Sequence, residues 1–347
     1  MALRRSKRRP PAPTYPIIFR WDLDKTYLKS AFDSLRGLVR IPFEKPHDKV
    51  AVPGVVPLIR NLRDGAAQAG REVRIYFMSA SPPQIAKAIK EKLALDGIEY
   101  DGIVFKNQLQ HLVRGKFRNL REHVGYKLTE LLKSRPLMPR DSRELLFGDD
   151  WESDPIIYSL YADVLAGHIG PEALGDILAR IDVDPHLIAQ AQGLIAGVDA
   201  ADVVEKIYIN VERRTPPTSF HSFGPRLVPT FNYFQTAACV FEGGYLNLAA
   251  VAQVAEQLIK GSGYTPSRLA NSLDDIVRRG HLQPPSAVAV REYLRARGLL
   301  PQRAREGHRL PLWRRVSSWF TSKPAPARAP TETINYQTLV AEWRAAR

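Results

Sequence analysis

Short apolar runs alternate with amphipathic stretches through the first 165 residues, and this alternation constrains the fold more than any other feature of the chain. In order they read YPIIFRWDL, GVVPLIRNLRDGAAQAG, VRIYFMSAS, PPQIAKAIKEKLALDG, YDGIVF, FRNLREHVGYKLTELLKS, RELLFGDD and ESDPIIYSLYA. Helical patterns between strand-like runs imply parallel strands, hence an α/β three-layer sandwich with a mainly parallel, Rossmann-like sheet. VRIYFM and RELLFG are nearly all apolar after their first residues, as strands covered on both faces should be. VEKIYINVE reads as a further strand of the same sheet, reached through a helical insert at about 166–202. Ligands of such sheets bind beyond the carboxyl ends of the strands. The polar clusters WDLDKT, SAS and GDD all fall there.

The flanks divide the chain. Residues 1–14 read as a basic disordered arm, and the α/β unit runs from 15 to about 215, where RTPPTSFHSFGP marks a boundary by its prolines, glycine and serines. Residues 216–300 are expected to form a C-terminal helical extension, with a helix starting at the serine of TPSRLANSLDDIVRRG and packing against the α/β unit as its role. Residues 301–347 form a basic tail with prolines and tryptophans, in which Trp313, Val316, Trp319 and Phe320 fit one helical face opposite arginines. The formal charge of +14 resides in the ends: residues 1–20 and 301–347 carry +6 each, and the 280 residues between them +2. This argues against specific nucleic-acid binding by the core. It leaves two cationic arms suited to an anionic surface such as phospholipid, or to solubility alone. No run reaches the length of a membrane span, and the basic start leads into PPAPTYP rather than a signal-type apolar core, so the expected location is cytoplasmic, with peripheral membrane association as the role of the arms. The single cysteine, Cys239 in TAACVF, reads as a buried inert thiol.

The chemistry is concentrated in four clusters. Asp22 and Asp24 flank a leucine where the first strand ends, so both carboxylates face one side while the chain stays extended. Two anions so close repel; a divalent cation relieves this and fixes one carboxylate for attack, leaving the other to hold a proton as general acid and base. Thr26 is placed to hydrogen-bond the loop after them. Ser79 ends the second strand, and its hydroxyl and the backbone N–H groups of the following turn, Ala80 first, suit phosphoryl oxygens. Lys127, on REHVGYKLTELLKS, brings an ammonium, with Lys106, Lys116 and Lys133 as neighbouring alternatives. Asp149, with Asp150 and Asp154 in GDDWESDP, lies at another strand end. Magnesium prefers oxygen ligands and takes one or two protein carboxylates, so Asp22, the Asp24 carbonyl and Asp149 suffice for it. The bland alternatives are turn aspartates and a helix-capping serine.

DLDKT, a strand ending in serine, a lysine and GDxxxxD, in that order, resemble the motif set of the haloacid-dehalogenase superfamily of phosphohydrolases over about residues 15–215. The flanks VPGVVPLIRNLRDG, FMSASP and GDDWESDPIIY resemble more narrowly the actin-patch-type phosphatidate phosphatases and their bacterial relatives. Lys25 departs from the acidic residue usual in that group, Asp150 and Trp151 replace its serine and glycine, and residues 166–202 look inserted. The resemblance implies that Asp22 attacks phosphorus to form an aspartyl-phosphate and that Asp24 protonates the leaving oxygen and then activates water. It further implies that Ser79, Thr26, Ala80 and Lys127 hold the phosphoryl group and that Asp149 binds Mg2+ with Asp22 and Asp24. Asp154 would support the metal or Lys127. The expected function is therefore a magnesium-dependent phosphomonoesterase acting on a phosphatidate-like lipid. The alternatives are the same chemistry on a soluble phosphometabolite or phosphoprotein, and a non-catalytic binding or scaffold protein with this fold.

Overall fold

The computed structural model describes residues 15–28, 50–68, 71–79, 86–105, 119–151, 153–213, 215–302 and 334–345. The expected basic arm, the Trp313 to Phe320 segment, Ala80, Lys106 and Lys116 lie outside these residues.

Six parallel strands form one sheet: β1 (Ile17–Asp22), β2 (Val73–Ser79), β3 (Gly102–Phe105), β4 (Arg143–Asp149), β5 (Val204–Asn210) and β6 (Leu227–Thr230), in the order β3-β2-β1-β4-β5-β6. Strand order therefore reverses direction between β1 and β4. That reversal opens a crevice at the carboxyl edge between those two strands. β1 is buried at every position, the signature of a central strand covered on both faces.

Helices α1 (Val55–Gln68) and α2 (Ala86–Leu95) cover one face of the sheet. They share a core with Ile17, Phe19 and Trp21 of β1, in which Trp21 stacks on Phe147 at 3.9 Å between ring centroids. The same core contains α7 (Tyr233–Glu242), α8 (Leu248–Ser262), α9 (Pro266–Arg278) and α10 (Pro284–Ala296). The helices after residue 230 thus complete this layer, the packing role expected of them. On the opposite face lie α3 (Asn119–Ser134), α4 (Asp154–Leu165), α5 (Pro171–Arg180) and α6 (Pro185–Ile195), joined by α11 (Tyr336–Ala345), whose Leu339 and Val340 are buried. Tyr336 Oη donates to the buried Asp163 at 2.7 Å and pins α11 to the end of α4.

Two details differ from the sequence reading. Residues 227–230 form β6, a strand of the main sheet within the stretch expected to be mainly helical. LVPT is too short to show alternation, and its proline argues against a strand except at an edge, which is where β6 sits. Helix α9 starts at Pro266, capped by Thr265, whose hydroxyl accepts the Arg268 N–H at 3.2 Å; the serine at 267 lies inside the first turn. Proline at the first helical position lacks an N–H that the helix could not have paired, so the cap falls one residue before it. The stretch 166–202 forms α5 and α6, which pack on each other and, through α6, on α3.

Candidate active site

β1 ends at Asp22 and the chain turns at once. Leu23 N–H reaches across to the Met78 carbonyl of β2 at 2.9 Å, and Lys25 closes a tight loop to Leu28 with its backbone at φ 62°. That left-handed conformation costs a side-chain-bearing residue about 1–2 kcal/mol. The loop is held by Tyr233 at the start of α7, whose Oη donates to the Thr26 carbonyl at 2.6 Å.

Asp22, Thr26, Ser79, Lys127, Asp149 and Asp154 are all fully buried, and Asp24 is 6% exposed. Lys127 comes from α3, packed on the face of β1 that Asp22 faces. Its Nζ lies 2.8 Å from Asp22 Oδ1 and 2.8 Å from Asp154 Oδ1. Lys133, the described alternative, is paired at the surface with Glu130. Carboxylate oxygens of Asp22, Asp149 and Asp154 all lie within 4.8 Å of one another. Ser79 Oγ donates to Asp24 Oδ2 at 2.8 Å, so the two aspartates of the first motif have different partners: Asp22 an ammonium, Asp24 a hydroxyl. Thr26 Oγ1 is 3.3 Å from Asp22 Oδ2 and 3.4 Å from Asp149 Oδ2. The threonine therefore links two carboxylates side chain to side chain, where local bonding to the loop backbone was expected.

The GDDWESD segment is built around Asp154. It opens α4, and its Oδ2 accepts the Asp149 N–H at 3.3 Å while Oδ1 holds Lys127. A Cβ on Gly148 would fall 2.5 Å from Asp154 Oδ2, so glycine is what lets this carboxylate reach back beneath the strand. Tyr158, one turn further along α4, donates to the Phe147 carbonyl at 3.3 Å. Burial, then the charges of Asp154 and Asp22, push its phenol well above the ordinary range, so it remains a neutral donor.

Asp150 has a role the sequence reading missed. Its carboxylate accepts the N–H groups of Glu212 and Arg213 at 2.8 and 3.0 Å and the Thr215 hydroxyl at 2.7 Å, tying the loop after β5 to the loop after β4. No local pattern signals this, because the partners lie more than sixty residues away. Trp151 forms part of the rim, with Lys25 Nζ 3.8 Å and the Arg213 guanidinium 5.1 Å from its ring centre. Cys239 is buried, as expected, and burial pushes its thiol up to about 12, which leaves it un-ionised and inert.

The donor set at the carboxyl edge consists of oxygen atoms from buried carboxylates, gathered around one buried ammonium at a topological switch point. Such a set suits a hard divalent cation and a phosphoryl group. Residues 21–170 match the family model described as phosphatidate phosphatase APP1, catalytic domain. The matched span runs from β1 to the end of α4 and holds every site residue named above from Asp22 to Asp154, while β5, β6 and the helices after them lie beyond it. The match covers less than half of the chain and supports a phosphatidate phosphatase-like family over that span. No curated protein matches the chain. No helix of the described residues is long and apolar enough to cross a membrane.

Proposed function

We propose that the protein is a magnesium-dependent phosphomonoesterase of haloacid-dehalogenase type that acts on a phosphatidate-like lipid through an aspartyl-phosphate on Asp22. The observation that carries this reading is the buried Lys127 ammonium, 2.8 Å from both Asp22 and Asp154, with Asp149 alongside and the whole cluster inside the family match. A structural ion pair needs one carboxylate; three with oxygens within 4.8 Å of one another form an oxygen-ligand set that suits a hard cation. The residues fit Mg2+: Asp22, Asp149, Asp154 and the Asp24 carbonyl would hold it, and when bound it would offset the charge of the phosphoryl oxygens.

The chain's own residues divide the work. Lys127 holds a phosphoryl oxygen next to the Asp22 carboxylate, which attacks phosphorus as the bond to the leaving oxygen breaks. Asp24 gives that oxygen its proton. Its carboxylate then takes a proton from the water that attacks phosphorus, breaks the bond to Asp22 and releases inorganic phosphate. Ser79 orients Asp24 through its 2.8 Å hydrogen bond and offers its hydroxyl to the incoming phosphoryl group. Peripheral association with an anionic membrane is the role we assign to the basic ends.

Phosphate release from phosphatidate vesicles and from soluble phosphomonoesters, with Mg2+ or EDTA, tests the reading. The expected result is Mg2+-dependent release from the vesicles that falls by at least about a thousandfold in Asp22→Asn. Release confined to soluble esters would replace the lipid by a phosphometabolite. Release unaffected by Asp22→Asn would remove the nucleophile from the proposal.

A further inference from the structure

We propose that a cavity of about 740 Å³ at the carboxyl ends of β5 and β6 receives the part of the ester that leaves, and selects one with neutral oxygens close to the phosphate and an apolar continuation. The identity of the substrate rests on the phosphatase reading above; the cavity itself lies mostly beyond the family match.

Its position follows from register. Asn210, which lines the cavity, pairs with Asp149 across β4 and β5, and with Thr230 across β5 and β6. Neighbouring strands are about 5 Å apart, so the cavity begins one strand from Asp149 and extends over a second. Val52, on its near wall, donates its backbone N–H to the Tyr27 carbonyl at 2.8 Å, and Tyr233, beside the lining residue Asn232, holds Thr26. The catalytic loop thus packs directly behind this wall. A leaving group attached to a phosphate at Asp22 has this cavity as its neighbour.

The chemistry of the lining narrows the ligand. Val52, Phe231, Leu258 and Tyr264 give the lining apolar surface, and Phe231 is 39% exposed, unusual for a large apolar side chain. Among them lie the amides of Asn210 and Asn271, the pair formed by Asn232 Nδ2 donating to Ser272 Oγ at 2.9 Å, and the Arg268 guanidinium, which stacks 4.2 Å from the Tyr264 ring centre. These donors suit carbonyl and ether oxygens. Glu212 and Asp275 also face the cavity, and they oppose a second phosphate or carboxylate on the ligand. A glyceryl ester meets both conditions, with its ester carbonyls on the Asn271 amide and the Arg268 guanidinium and its chains against the apolar side chains. The volume is that of a small-molecule site, so long chains would extend out of it.

The test uses the full-length protein with Asn271→Trp, which fills the cavity from an exposed helical position, and Arg268→Ala, which removes donors without adding bulk. Each is expected to lower kcat/KM for dioctanoyl phosphatidate by about tenfold or more while leaving p-nitrophenyl phosphate within about twofold, since that leaving group has neither esters nor chains. Equal losses on both substrates, or none on either, would overturn the cavity's role. Should the wild type hydrolyse nothing, the phosphatase reading has failed, and binding of dioctanoylglycerol by equilibrium dialysis decides the cavity separately. Binding weakened by Asn271→Trp would support it; binding that is absent or unchanged would overturn it.

Discussion

Two buried charge clusters lie on β1 and β4, one toward each edge of the sheet, and they are built in opposite ways. Toward the amino edge, Arg20 and Arg135 surround the fully buried Glu144, whose Oε2 also accepts the Tyr161 hydroxyl at 3.0 Å. The guanidinium groups have further acceptors in the Ser134 and Ser142 hydroxyls and the Arg140 carbonyl. Toward the carboxyl edge, the polarity is inverted: Asp22, Asp149 and Asp154 surround the Lys127 ammonium. Two cations sharing one fully hydrogen-bonded anion make a structural tie. Three anions beside one cation, among the described residues, show the opposite balance of charge. Arg20 and Asp22 point to the same face of one strand, two residues apart, so burial and element type do not separate the two clusters. Charge stoichiometry does.

The largest effect is expected where the tie is cut. Glu144→Ala leaves two buried guanidinium groups without their carboxylate and is expected to cost about 3–5 kcal/mol, read as a lower urea midpoint at unchanged slope. A loss below about 1 kcal/mol would mean that the amino-edge cluster is as dispensable as a surface pair. Asp150→Ala should come next, at about 1–3 kcal/mol, because two backbone N–H groups and the Thr215 hydroxyl lose their acceptor. It should also raise KM more than it lowers kcat, since it frees the loop after β5 beside the proposed ester cavity.

The smallest effect has the opposite sign and sharpens the contrast most. In EDTA, Asp149→Asn is expected to raise stability by about 1 kcal/mol, by removing one of the crowded charges while an amide oxygen still accepts the Trp151 N–H. The same change should abolish the response of phosphatase activity to Mg2+. A lower melting temperature instead would show that the carboxyl-edge cluster is balanced, and the comparison would fail.

Much of this was legible in the sequence because it is local. The short continuous apolar runs and the amphipathic stretches between them mark strands and helices before any contact is known. Acidic residues at the ends of apolar strands mark where desolvated charge must find a partner. Asp22, Asp24 and Asp149 stand out that way, Ser79 as a hydroxyl at a strand end, and Lys127 and Asp154 by the order of the motifs; all lie at the carboxyl edge or, for Lys127, over it. Glu144 and Arg20 passed as polar residues within strands, since nothing near them in sequence indicates that they are buried together. β6 was hidden by its four residues and its proline, and α11 by a tail whose composition reads as solvated.

The sequence by itself determined the α/β alternation, the order of the four polar clusters and the burial of Cys239, because each depends on residue type and spacing within a few turns. Only the tertiary structure decided the strand order β3-β2-β1-β4-β5-β6, and with it the switch point that sets Asp22 and Asp149 on adjacent strands. It also decided that Lys127 rather than Lys133 faces inward, that Asp150 ties two loops, and that the last helices close a cavity beside the site. These outcomes depend on contacts between residues tens to hundreds of positions apart. Their energy arises only when the layers pack.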